Sequence, residues 1–209
     1  MLSLSPGWPW VTVVLLGAFH GINPAMGWLF AVGLGLQEER RGAVLAALAP
    51  LALGHAVSVG AVILALDAAR LAVPPEALKI GAAALLIGFG FFRLAWPWAR
   101  PRWVGMRVGF RDLTLWSFLM SSGHGAGLML APVVLGLPSD HGVGSRAPLA
   151  AGLALLGLHT VAMFAVMGLV AVAVYQVLGL GMLRRAWINL DLLWAVALLL
   201  AGVATLWMG

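Results

Sequence analysis

The chain has 209 residues, of which 63% are hydrophobic and only 9% are charged, and its mean hydropathy is +1.04. Because a water-soluble surface needs roughly 25% charged residues, this composition excludes a soluble globular domain. The apolar runs are continuous and do not alternate, which excludes a β-barrel. Without cysteine the chain has no disulfides and no thiolate metal site. In such a chain the net charge of +5 is first a topology signal and does not indicate nucleic-acid binding.

The apolar runs predict an all-α polytopic membrane protein with six transmembrane helices in a single domain, residues 1–209. Each run reaches the roughly 20 residues that a bilayer requires. In chain order the predicted spans are residues 9–36, 43–66, 77–96, 113–137, 148–178 and 188–207. The N-terminus has no basic region before its first apolar run, so we expect no cleaved signal peptide.

The basic residues predict the orientation of these spans. The first, third and fifth connections carry most of them: Arg40, Arg41, Arg100, Arg102, Arg107, Arg111, Arg184 and Arg185. The second and fourth connections, with the adjoining helix starts, carry only Arg70, Lys79 and Arg146. By the positive-inside rule, the odd connections, including the basic loop 97–112, are expected in the cytoplasm. Both termini are then outside, and the expected location is a bacterial cytoplasmic (inner) membrane.

Four histidines lie near the centres of four predicted spans: His20, His55, His124 and His159. Ionisable residues in a membrane interior are costly and point to function. Imidazole is the commonest metal ligand and suits Ni²⁺, Co²⁺, Zn²⁺ and Cu²⁺. We therefore predict that the four imidazoles bind one divalent metal ion at the membrane midplane. The alternative is that each one only hydrogen-bonds a neighbouring helix and stabilises the packing.

The spacing of the histidines also predicts an internal repeat. His55 follows His20 by the same number of residues as His159 follows His124. The repeats would be residues 9–96 and 113–207. Because each contains three spans, the second repeat enters the membrane from the opposite side. Such inverted-topology repeats are typical of secondary transporters, whose sites lie at the repeat interface near the midplane.

Asn23 and Pro24 follow His20 closely within the first span. Proline in a helix interior removes a hydrogen bond and disturbs the preceding turn, which frees backbone carbonyls beside His20. Asn23 and the carbonyls freed by Pro24 are therefore predicted as auxiliary ion ligands. An ordinary helix kink without any ligand is the alternative.

Other polar residues in the spans are candidates for an ion path. Ser58, Ser121, Ser122 and Thr160 could line this path or simply bond the backbone. Asp191 is a candidate because an acidic residue in the membrane is a functional signal by default. A carboxylate in the first turn of a helix is, however, also favoured by the helix dipole alone.

Two segments resemble a known family. They are His20-Gly21-Ile22-Asn23-Pro24 in the first span and Leu53-Gly54-His55-Ala56-Val57-Ser58 in the second. This pattern is similar to the nickel/cobalt efflux family (NicO) of the LysE superfamily, whose members are small six-helix exporters built from three-helix repeats. The chain lacks the acidic residue beside the histidine, the histidine-rich loop and the paired cysteines of other branches. The resemblance implies export of a divalent metal or a small solute.

These features favour a secondary transporter that exports a divalent transition-metal cation in exchange for protons, with no permanently bound cofactor. Protonation would weaken metal binding, since ligation needs neutral imidazole. No enzymatic activity is predicted, because the chain has neither a nucleotide-binding glycine loop nor an HExxH motif. One alternative is a haem-binding protein with histidine axial ligands. Another is a structural subunit of a larger membrane complex or a homo-oligomer.

Overall fold

The computed structural model describes residues 7–96, 109–137, 147–178 and 190–207. In these ranges the chain is all-helical, as predicted, with eight α-helices and no β-strand. The helices are α1 (Trp8–Ile22), α2 (Trp28–Gln37), α3 (Arg41–Arg70), α4 (Pro75–Ala95), α5 (Phe110–His124), α6 (Ala131–Leu135), α7 (Ala147–Ala173) and α8 (Leu190–Trp207). Most of the predicted loop arginines, with His141, fall in the segments 97–108, 138–146 and 179–189, which lie outside the described residues.

Three helical segments are long and apolar enough to cross a membrane: Arg41–Arg70, Pro75–Ala95 and Leu149–Val177, which joins α7 to a π-helical turn. Helices α5 and α6 would form a fourth span if the pair, bent by 53°, is counted as one. Helices α1 and α2 and the later part of α8 are shorter apolar helices. The membrane class is therefore confirmed, whereas the number of six spans stays a prediction.

Two of the predicted spans are interrupted within the apolar run. The first is split into α1 and α2 by a 3₁₀ turn at Pro24–Met26, which ends at Gly27 with a φ of +116°. The fourth is split into α5 and α6 after Gly125, whose φ is +70°. Side chains other than glycine rarely adopt these backbone angles, so each glycine allows a sharp turn. Both breaks follow closely after a helix that carries one of the central histidines.

Close helix contacts bring the central histidines together. Helix α1 packs against α7, α3 against α5, and α4 against α8, while α3 and α7 meet at the centre. A Cβ atom at Gly17 would lie 2.5 Å from the carbonyl oxygen of His159, and a Cβ at Gly54 would overlap the carbonyl oxygen of Thr114. Only glycine permits such an approach, which is a common way to pack helices in membranes.

The buried apolar side chains form two clusters that meet at the level of the histidines. On α3, Leu51 belongs to one cluster and Val59 to the other, and His55 lies midway between them. On α7 the clusters follow in the opposite order along the chain, and His159 again lies between them. The histidines therefore occupy the centre of the molecule, with apolar packing above and below.

We predict that Gly54→Ala destabilises the protein by about 1–3 kcal/mol, the usual cost of overpacking. The added methyl group would press against the backbone of α5, which cannot move aside as a flexible side chain could. Thermal unfolding in detergent, followed by circular dichroism, would measure this loss.

The matched control for this substitution is Gly157→Ala on α7, where an added Cβ meets nothing within 4 Å. This variant should melt at or above the wild-type temperature, because alanine has the higher helix propensity. Equal melting temperatures for the two variants would contradict the close-contact interpretation.

Candidate metal centre

Three of the four predicted histidines meet in the core. His20 comes from α1, His55 from α3 and His159 from α7, and all three are buried. One ring nitrogen from each lies within 4.8 Å of the other two. Within the described ranges no other group of three or more metal-ligating side chains comes this close. We call these residues the histidine triad.

Two members of the triad are already at the spacing of metal ligands. The Nε2 atoms of His55 and His159 are 3.2 Å apart, and their rings are nearly parallel, at 18°. With metal–nitrogen bonds of about 2.0–2.1 Å, two tetrahedral ligands lie about 3.3 Å apart. The nitrogens of the triad lie at most 4.8 Å apart, so closing the group on an ion needs a shift of roughly 1.5 Å at most.

Backbone carbonyls fix the protonation pattern of two triad members. Nδ1 of His20 lies 2.6 Å from the carbonyl oxygen of Leu16, and Nδ1 of His159 lies 3.2 Å from that of Val13. A carbonyl oxygen can only accept a hydrogen bond, so each Nδ1 must carry the proton and each Nε2 holds a free lone pair. Nε2 is then the metal-binding atom of both residues.

The Nε2 atom of His20 is buried and has no hydrogen-bond partner among the described residues. An unsatisfied buried nitrogen costs about 1–3 kcal/mol. A metal ion bound by the triad would satisfy this nitrogen. The third member, His55, places its Nδ1 2.9 Å from the hydroxyl of Ser121. Each triad ring is thus held through Nδ1 by an outer partner, the usual arrangement of metal-binding histidines.

His124 lies outside the triad. Its Nδ1 lies 2.7 Å from the carbonyl oxygen of Met120, so the tautomer matches that of His20. Its ring packs edge-on against Trp194 of α8 at a centroid distance of 5.6 Å. The same indole packs edge-on against His20 at 4.7 Å and donates its N–H to the carbonyl oxygen of His124. The structure thus brings together three of the four predicted ligands, while Trp194 contacts both His20 and His124.

Sequence reasoning missed Trp194 as a residue of the site. The tryptophans near the ends of predicted spans fit an aromatic belt, whereas Trp194 lies well inside the last apolar run. It is completely buried, and the ring of Phe19 stacks on the indole at a centroid distance of 5.3 Å. A buried indole needs a partner for its N–H, and here the partner is the carbonyl of the last residue of α5. A tryptophan distant from both membrane interfaces was the available signal.

Asn23 and Pro24 form the turn between α1 and α2. The side-chain oxygen of Asn23 accepts a hydrogen bond from the backbone N–H of Ala25 at 2.9 Å, and Pro24 begins the 3₁₀ turn. The carbonyl of Ile22 accepts a hydrogen bond from the indole of Trp28, also at 2.9 Å. These groups therefore have partners within the turn and the adjoining helix.

The predicted path residues have different environments. Ser58 is buried, and its hydroxyl lies 2.8 Å from that of the exposed Ser122, across the contact of α3 with α5. The hydroxyl of Thr160 is buried and has no hydrogen-bond partner among the described residues. Asp191 is the second residue of α8, and its side chain lies outside what the structure describes.

Comparisons of the chain with protein-family models, with curated proteins and with solved structures found no match. The fold and the site together define the class of protein. It is an α-helical membrane protein with a buried site of three histidines contributed by three different helices. The resemblance to nickel/cobalt exporters rests on the two histidine segments of the first two predicted spans.

We predict that His55→Ala removes metal binding and that His124→Ala retains it. Loss of a direct ligand should cost more than the roughly 10–100-fold in affinity that loss of an outer partner costs. His124 is the matched control, because it is the same residue type and equally buried but lies outside the triad. Equilibrium dialysis of detergent-purified variants against Ni²⁺, Co²⁺ and Zn²⁺ would measure the effect. Equal losses in both variants would contradict a three-histidine site.

Proposed function

We propose that this protein is a secondary transporter that carries a divalent transition-metal cation through the histidine triad. The observation that carries the proposal is the convergence of three imidazoles at the buried centre of a membrane protein, where Nε2 of His20 has no partner among the described residues. A site of neutral imidazoles suits Ni²⁺, Co²⁺, Zn²⁺ and Cu²⁺. Ca²⁺ and Mg²⁺ prefer oxygen ligands, and no carboxylate belongs to this group in the described part of the chain.

The position of the triad between the two halves of the chain supports transport. His20 and His55 come from the first half and His159 from the second. The three most extensive helix contacts are kept when the halves are exchanged, since α1–α7 corresponds to α5–α3, and α4 pairs with α8. This pattern supports two inverted three-helix repeats and six spans. A site at the interface of such repeats can open to either side when one repeat moves against the other.

The glycine contacts between α4 and α8 have the same symmetry. A Cβ at Gly90 of α4 would lie 3.3 Å from the carbonyl oxygen of Ala195 on α8. In the reciprocal contact, a Cβ at Gly202 of α8 would lie 3.2 Å from the carbonyl oxygen of Ala83 on α4. Each helix therefore uses one glycine to receive the other, as expected when the two helices occupy equivalent places in two repeats.

The charge of the site suits release as well as binding. No carboxylate of the described residues would bind a divalent ion in the triad, and a charge in a membrane interior is costly. Binding must be favourable enough for the ion to enter and weak enough for it to leave. An acidic ligand would raise the metal affinity of a structural site. Its absence helps a transport site to release the ion.

The direction and coupling of transport are part of the same proposal. We place both termini outside and the protein in the bacterial cytoplasmic membrane, with the ion moving outward as the resemblance to the nickel/cobalt efflux family implies. Protons compete with the metal for the same nitrogens, because only neutral imidazole is a ligand. Exchange of a metal ion for protons then needs no separate carboxylate.

The triad does not suit haem. Two axial ligands lie on opposite faces of the macrocycle, so their nitrogens must be separated by the iron and the porphyrin plane. The Nε2 atoms of His55 and His159 are in direct contact at 3.2 Å, and three tightly packed helices surround them. This arrangement leaves no room for a porphyrin between the two rings.

A second candidate function is proton conduction without a metal. It is supported by the hydrogen-bond chain from His159 to His55 and on to the hydroxyl of Ser121. Neutral imidazole can accept a proton on one nitrogen and release one from the other. In this case the protein would dissipate a pH gradient when no transition metal is present.

We predict that proteoliposomes with the wild-type protein take up Ni²⁺, Co²⁺ or Zn²⁺ and that those with His159→Ala do not. A metal-sensitive dye inside the vesicles would measure the rate, and protein-free vesicles give the background. An internal pH-sensitive dye would test the second candidate in the same vesicles. Dissipation of a pH gradient without metal uptake would replace metal transport with proton conduction.

Metal binding by the purified protein should decrease on acidification, because protonated imidazole cannot bind a metal. Each proton taken up removes one lone pair from the site, so the metal affinity falls as the pH falls. Dialysis at a series of pH values would give the curve. Binding that stays constant or rises on acidification would contradict ligation by the histidines.

A further inference from the structure

The hydrogen bonds of the triad determine which nitrogen of His55 carries the proton when no metal is bound. Nε2 of His159 holds a lone pair, because its Nδ1 donates to a carbonyl oxygen. Nε2 of His55 lies 3.2 Å from it, and two lone pairs cannot form a hydrogen bond. His55 must therefore be protonated on Nε2 and donate to His159. Its Nδ1 then holds a lone pair and accepts the hydroxyl proton of Ser121.

Metal binding requires the opposite tautomer of His55. To act as a ligand through Nε2, the ring must carry its single proton on Nδ1. That Nδ1–H faces the oxygen of Ser121 at 2.9 Å, and the hydroxyl must then accept instead of donating. The number of protons is unchanged, since one leaves Nε2 and one joins Nδ1, with water as the carrier.

Ser121 is suited to this reversal, and the other two outer partners are not. A hydroxyl rotates and serves as donor or acceptor, whereas the carbonyl oxygens of Leu16 and Val13 only accept. When Ser121 accepts from His55, its own proton can bond the carbonyl four residues earlier in α5, as helical serines commonly do. The hydroxyl therefore has a partner in both states, although the residue is buried.

We propose that Ser121 is a positioning residue that switches His55 between a closed and an open tautomer. In the closed form the Nε2–H of His55 donates to Nε2 of His159, so neither nitrogen is free to bind a metal. In the open form Ser121 accepts from Nδ1, and Nε2 is free to bind the ion. This inference rests on the proposed metal-binding function.

The closed form stabilises the empty site by pairing two of its buried nitrogens. Without the His55–His159 bond, the centre of the protein would contain three buried lone pairs. With it, His20 is the one triad residue that keeps a nitrogen without a partner in the described part of the chain. The bond must break when the metal binds and re-forms when the metal leaves. It therefore lowers the affinity of the site and assists release.

The first test is ¹⁵N NMR of the histidine rings in detergent, with Zn²⁺ as a diamagnetic probe and His55→Ala to assign the signals. In the metal-free protein, His55 should be protonated on Nε2, whereas His20 and His159 should be protonated on Nδ1. At Zn²⁺ saturation His55 should be protonated on Nδ1. A His55 ring that carries its proton on Nδ1 already in the metal-free state would overturn the switch.

The second test is the Zn²⁺ affinity of three serine variants. Ser121→Ala should bind roughly 10–100-fold more weakly, as for other losses of an outer partner, and Ser121→Thr should restore binding to within a few-fold. Ser122→Ala is the matched control on the adjacent residue, whose hydroxyl bonds Ser58 and not the triad, and it should bind as the wild type does.

The outcomes separate the switch from the proposed function. Wild-type affinity in Ser121→Ala, with normal Zn²⁺ binding by the wild-type protein, would overturn the switch alone. Failure of the wild-type protein to bind Zn²⁺, Ni²⁺ or Co²⁺ would overturn metal transport and the switch together. If Ser121→Ala does not fold, the NMR tautomers and the Ser121→Thr variant still decide the question.

Discussion

The close approach of helix backbones at two glycines is the constraint on which the site depends. At Gly17 helix α1 touches the backbone of α7, and at Gly54 helix α3 touches that of α5. Lipid gives helices no hydrophobic reason to associate, so small residues and tight packing must hold them together. These contacts lie at the level of the histidines. The imidazoles can therefore reach one another across three helices instead of each facing its own neighbour.

The same packing supplies the hydrogen bonds that orient the rings. One Nδ1 bonds within its own helix, one bonds across to α1, and one meets a hydroxyl on α5. Burying a polar group without a partner is expensive, so these bonds offset much of the cost of placing imidazoles in an apolar centre. The Nε2 atoms of His55 and His159 then meet, and Nε2 of His20 is left without a hydrogen-bond partner among the described residues. The hydrogen bond at Nδ1 of each ring thus leaves the opposite nitrogen, Nε2, for the chemistry of the site.

The two halves of the chain are alike in their most extensive helix contacts but not at the site. His20 and His124 occupy similar places near helix breaks, yet only His20 joins the triad. Trp194 packs against both rings, and its N–H bonds the last carbonyl of α5. A single bulky side chain from the last helix therefore contacts both histidines. The sequence presents them as equivalent, but only one of them belongs to the triad.

The sequence alone determined the membrane class, the approximate extents of α3, α4 and α7, and the four central histidines, because hydropathy and helical rise are local properties. It indicated the interruption at Pro24 and, through Pro132, one in the fourth span. It did not indicate that this second break falls at Gly125, since a glycine in an apolar run is compatible with either a helix or a turn. Only the tertiary structure decided which histidines meet, which nitrogens face the site and where Trp194 lies. Those features depend on distances between helices, which are set by packing among residues far apart in the chain.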